Sequence, residues 1–87
     1  MNKFEWDENK RRLNIEKHHI DFIDAIAVFN DINRIEKIEM HESGEERHIT
    51  IGELDGMVVF VVHALRGKSI RLISARRASK NERKYYK

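Results

Sequence analysis

An α+β fold is predicted for this 87-residue chain by three features of its sequence. Two segments of helical character come first. Segments with the two-residue period of strands follow, arranged around the hairpin dipeptide Asp55-Gly56. The last stretch, Ser79-Lys80-Asn81-Glu82, is a capping box that opens a short helix. The expected architecture is a short N-terminal strand, two helices packed on a four-stranded antiparallel meander, and a short C-terminal helix. One domain over residues 1–87 is expected, because a chain of this length buries only about 60 % of its unfolded surface and supports a single modest core.

The elements read in order as follows. Phe4-Glu5-Trp6 alternates apolar and polar residues, as a short strand does. Asp7 is a suitable N-cap, and Glu8 suits the first turn of a helix running to His18. Leu13 and Ile15 are that helix's only aliphatics, so it belongs on the surface. Asp21 starts a second helix in which Phe22, Ile23, Ile26 and Phe29 recur at helical spacing, ending near Asn30-Asp31. From Arg34 the period becomes that of strands. Arg34 to Met40 is a charged, edge-like strand, and His41-Glu42-Ser43-Gly44 a loop. Glu46 to Leu54 pairs through Asp55-Gly56 with Met57 to Ala64, a run apolar on both faces that suits the central strand. Ser69 to Arg77 returns as the last strand.

Composition excludes several classes of function. There is no cysteine, hence no disulfide, thiol nucleophile or thiolate ligand. No secretory signal pattern opens the chain, and the longest apolar run, Met57 to Val62, falls far short of a membrane span. A cytoplasmic location is expected. The net charge of +2 conceals an asymmetry: residues 1–64 carry 8 Lys and Arg against 14 Asp and Glu, whereas residues 65–87 carry 9 against 1, a local surplus of +8. Such a surplus attracts phosphates. The histidines show no metal-ligand spacing, and adjacent His18 and His19 cannot share a helical face, so no metal or other cofactor is expected.

The hairpin fixes a register in which Ile51 faces Phe60, Ile49 faces Val62, Thr50 faces Val61 and His48 faces His63. The Ile49/Ile51 face is expected to receive the helices. For the second turn, a three-residue loop, Arg66-Gly67-Lys68, is preferred over a two-residue one that would bury Arg71 beside Val62. His48, His63 and Arg71 would then form a row on the face away from the helices, followed by Arg76 and Arg77. Such a row suits RNA cleavage without metal: imidazole moves the proton of the attacking ribose 2′-OH, and arginine holds the phosphate as charge builds on it. Arg66, Arg76, Arg77 and Lys80 are the expected RNA contacts. Trp6 is read as a packing residue, Tyr85-Tyr86 as an anchor for the last helix, and Lys17-His18-His19 as a solvated helix end.

Phe4-x-Trp6-Asp7-x-x-Lys10, Lys17-His18, Phe22-x-x-Ala25 with Phe29, Glu46-Arg47, Ile51-Gly52 and the closing Arg71-Leu72-Ile73-Ser74-Ala75-Arg76-Arg77-Ala78 with Glu82-Arg83 resemble the BrnT toxins over nearly the whole chain. The resemblance implies a RelE-like fold, an endoribonuclease that stops growth, and a BrnA antitoxin with a ribbon-helix-helix domain, in a 2:2 complex that represses its own operon. Operator DNA would be met only through the antitoxin. Matching polar positions are Arg47, His63, Arg71 and Arg76. His48 stands where an aromatic residue is usual, and Ala64 and Leu65 where a threonine and an acidic residue are frequent. Two other readings use the same basic surface: a non-catalytic nucleic-acid-binding or corepressor module, and an interaction module for an acidic protein.

Overall fold

The structure, a computed structural model, describes residues 3–86. Strand β1 (Lys3–Glu5) leads into helix α1 (Glu8–His18), helix α2 (Phe22–Ala25) and a 3₁₀ turn (Ile26–Asn30). Strands β2 (Ile35–Met40), β3 (Glu46–Leu54), β4 (Met57–Arg66) and β5 (Ser69–Arg77) follow, then helix α3 (Lys80–Arg83). The α+β class is as expected, but the sheet has five strands in the order β1-β5-β4-β3-β2. The expected four-stranded meander gains β1, which runs parallel to β5 and pairs Glu5 with Arg71.

Local chemistry explains the boundaries. The Asp7 carboxylate accepts the Asn9 and Lys10 amides at the start of α1, and Asp21 accepts the Ile23 amide at the start of α2. Asp55 and Gly56 both have positive φ, 48° and 80°, the conformation of a type I′ hairpin. Ser79 and Glu82 form the reciprocal capping box of α3. The second helical region tightens after Ala25, so burial recurs every third residue, at Phe22, Ala25 and Val28. Ile23, expected inside, is therefore exposed.

Both sheet faces are covered, by different layers. Val59, Val61, Leu72 and Ala75 lie with Phe22, Ala25 and Val28 beneath the N-terminal helices, and Trp6 packs on the same cluster. Ile49, Ile51 and Phe60 lie on the other face with Ala78 and Tyr86 of the C-terminal segment. The β3–β4 register is as expected, with His48 opposite His63. The face assignment is reversed: the helices sit on the Thr50/Val61 face. Gly52 shows why, since a Cβ there would lie 2.9 Å from Val28 Cβ, and its absence lets the 3₁₀ turn settle onto β3.

The β4–β5 turn also differs from expectation. Arg66 pairs with Ser69 across the two-residue loop Gly67-Lys68, with Gly67 at φ 60°. Arg71 then lies opposite Ala64 and Leu72 opposite His63; a register shift follows, after which Ser74 faces Val62 and Arg76 faces Phe60. Asn14, buried on α1, seals the adjoining edge of β5: its amide donates to the Ala75 and Ile20 carbonyls, and its oxygen accepts the Ala75 amide. At the far side, Asp31 accepts hydrogen bonds from the Glu53 amide and the Tyr86 hydroxyl, which ties the end of the chain to the turn before β2.

Candidate nucleic-acid interface

The face opposite the N-terminal helices collects the arginines. Val62, which faces Ile49, and Ala64, two residues on, point to this side. Arg71 lies across from Ala64, Arg66 projects two residues beyond it, and Arg47 lies two residues before Ile49 on β3. Arg47 and Arg71 therefore flank Ala64 from neighbouring strands, two strand spacings or about 10 Å apart. The methyl side chain between them is itself buried, 4 % exposed. Arg76, on the same face, stacks over Phe60 with its guanidinium carbon 4.1 Å from the ring centroid.

These cations are held to different degrees. Arg76 makes a two-pronged pair with Glu82 at 2.8 and 2.9 Å, and those bonds hold the Glu82 carboxyl well down, to about 2. Arg71 donates to Glu5 at 2.9 Å in a half-exposed pair. Arg47 is looser: its Nε is buried without a hydrogen-bond partner, and the Glu45 carboxylate is 3.7 Å away. Arg66 and Lys80 are exposed. Arg77 faces the other way, opposite Val59 on the helix side, with its Nε 3.0 Å from the Met57 sulfur.

The expected row of His48, His63 and Arg71 is not formed. Because the second loop has two residues, Leu72 rather than Arg71 meets His63, and both histidines lie on the helix side of the sheet. His63 is only 6 % exposed. Its Nε2 pairs with the Thr50 hydroxyl at 2.9 Å, and its Nδ1 is buried without a partner. Burial, reinforced by the nearby His48, pushes its pKa down to about 4, so it is neutral at physiological pH. Phe4, Phe29, His63 and His48 follow one another as a ladder of rings with centroids 5.1, 4.9 and 5.8 Å apart. The ladder ends in a cleft of about 610 Å³ between the 3₁₀ turn and β2.

One contribution to the arginine side was read otherwise in the sequence. Lys10, Lys17 and His18 of α1 border a shallow cleft of about 250 Å³ together with Ser74 of β5. Burial lowers the His18 pKa, and the positive charges of Lys17 and Arg76 lower it further. The seven-residue spacing of Lys10 and Lys17, two helical turns on one face, was the available signal. Among the described residues no three His, Asp or Glu side chains gather as metal ligands, and no helix is long and apolar enough to cross a membrane.

The family model for the ribonuclease toxin, BrnT, of type II toxin–antitoxin systems matches residues 6–82, nearly the whole chain. No curated protein matches it.

Proposed function

The chain belongs to the BrnT family of ribonuclease toxins, and from that premise we propose that it cleaves RNA laid across the arginine face of the sheet, without a metal ion. The observation that carries this reading is the shared face of Arg47, Arg66, Arg71 and Arg76, opposite the N-terminal helices. A phosphate between Arg47 and Arg71 would sit over Ala64, where two guanidinium groups can follow the charge that builds on its oxygens. The ribose 2′-oxygen attacks phosphorus and loses its proton. The bond to the 5′-oxygen breaks and that oxygen gains a proton, leaving a 2′,3′-cyclic phosphate and a 5′-hydroxyl. Arg76 and Lys80 extend the grip along the strand. His18 of α1 lies at the edge of this face, beside Ser74. His48, His63 and Arg77, on the other side, are left out of the grip.

The same reading assigns the protein to the cytoplasm, with growth arrest through loss of translated RNA. Its partner is a BrnA-like ribbon-helix-helix antitoxin that covers the basic surface in a 2:2 complex and alone contacts operator DNA. Carboxylates matched to arginine forks support that mode of inhibition. A RelE-like grouping is supported by the antiparallel β2–β5 meander with the N-terminal helices on one face.

The deciding experiment incubates free RNA and translating ribosomes with the purified chain in excess EDTA, alongside Arg71→Ala. Cleavage that survives EDTA and falls at least tenfold in the variant is expected, as loss of a transition-state contact of about 1.4 kcal/mol or more would give. Intact RNA in both settings overturns the ribonuclease reading, and loss of cleavage in EDTA overturns metal independence.

A further inference from the structure

We propose that the cleft at the end of the ring ladder is a second site, separate from the arginine face, that binds a single nucleotide unit with its base stacked on His48. Four observations meet there. The Phe4–Phe29–His63–His48 ladder ends at His48, whose side chain is 18 % exposed and has no ring stacked beyond it among the described residues. The cleft walls are apolar where a base would lie, with Phe29, Ile38, Leu65 and Ile70; Ile38 and Leu65 are more than half exposed. Its floor is polar, with the Thr50 hydroxyl paired to a neutral His63. Arg34, just before β2, stands at its rim.

Each feature narrows the ligand. A flat surface bounded by an imidazole and aliphatic walls favours a planar ring over a sugar or a peptide helix. The Thr50–His63 pair can be built with either partner donating, and a base edge carrying both donors and acceptors suits either tautomer. Neutral His63 does not attract an anion, so a phosphate belongs at the rim. Arg34, bonded to Glu36 at 2.8 Å in a solvent-facing pair, is the cation on this side of the rim, because Lys37 lies opposite Ile49 and projects to the arginine face. A free mononucleotide and the base of a passing RNA strand offer the same chemistry, and the site is defined here by that shared unit.

The test titrates the full chain with AMP, UMP and ribose 5-phosphate and follows binding by calorimetry and by the histidine ring signals in NMR. Saturable binding of AMP or UMP is expected, with ribose 5-phosphate much weaker. Removing the stacking ring with His48→Ala should weaken binding roughly tenfold or more, while His48→Phe should preserve it. Arg71→Ala should leave nucleotide binding intact even where it abolishes RNA cleavage, so failure of either proposal is read separately. Equal binding of ribose 5-phosphate would reduce the site to a phosphate contact and overturn the stacking. Loss of binding in Arg71→Ala with retention in His48→Ala would move the ligand to the arginine face and overturn the proposal, as would absence of binding. A short RNA that shifts the His48 ring as the mononucleotides do identifies a strand base as the ligand; one that leaves it unmoved identifies free nucleotide. Binding that requires added zinc would overturn it in favour of a metal site.

Discussion

Acidification is expected to loosen the fold through His63 before the hydrogen-bonded carboxyls of Asp21, Asp31 and Glu82 protonate. The ring is 6 % exposed, beneath Phe29, and its pKa falls from 6.5 to about 4 on folding. The unfolded chain therefore binds the proton more readily. The stability that neutral His63 contributes is complete above pH 6.5 and is lost as pH falls from there toward 4. At about 1.4 kcal/mol per pKa unit, the full effect is about 3.5 kcal/mol, and roughly 2 kcal/mol of it is gone by about pH 5. In a domain this small, with a urea slope of about 1 kcal/mol/M, that moves the urea midpoint by about 2 M. Asp21, Asp31 and Glu82, whose carboxyls are held down by hydrogen bonds, lose their contributions only at lower pH. His18 shifts in the same direction but is more exposed. Urea unfolding from about pH 7.5 to pH 5 should show a steep loss in the natural chain and a much shallower one in His63→Gln. Equal slopes in the two proteins would refute the assignment to His63.

Three other outcomes are expected. Gly52→Ala forces a methyl against Val28 at 2.9 Å and its carbonyl oxygen at 3.0 Å, and should cost about 1–3 kcal/mol in thermal or urea unfolding; an unchanged midpoint would show that the 3₁₀ turn yields freely. Asn14→Ala orphans the buried Ala75 amide and carbonyl and should cost about 3 kcal/mol, with amide exchange accelerated first at Ala75. Mixing the toxin with its operon neighbour should slow exchange between residues 65 and 86 more than along α1; protection confined to α1 with cleavage still blocked would exclude inhibition by covering.

What the sequence made legible was mostly local. Asp55-Gly56 requires two positive φ angles, and that requirement alone set the whole β3–β4 ladder down to His48 opposite His63. Asp7, Asp21 and the Ser79–Glu82 box marked helix starts for the same reason, since each satisfies nearby amides. The helix-bearing face was not legible, because Met57 to Val62 is apolar on both sides and either face of β4 could have been the inner one. The deciding residue was Gly52, whose missing side chain is visible in the sequence but whose neighbour Val28 is not. Pairing of β1 with β5 is a contact between opposite ends of the chain, and no local pattern encodes it. The arginine side suffered most, since its reading rested on a loop length: weighing only the burial of Arg71 left out a loop that begins one residue later.

The register shift in β5 decides more than the course of one strand. Positions 71 and 76 differ by an odd number, so in an unbroken strand their side chains would project to opposite sides. The extra residue at Ile73 changes the parity of everything before it relative to everything after it, and two arginines that simple alternation would separate come to share a surface. The same change keeps Leu72 and Ala75, also an odd number apart, together in the core. Deleting Ile73 would bring both pairs to an even separation, so an unbroken strand would keep each pair on its own face. The bulge thus absorbs the one residue by which this segment departs from strand alternation, so that a single strand keeps a packed interior and a charged exterior in phase.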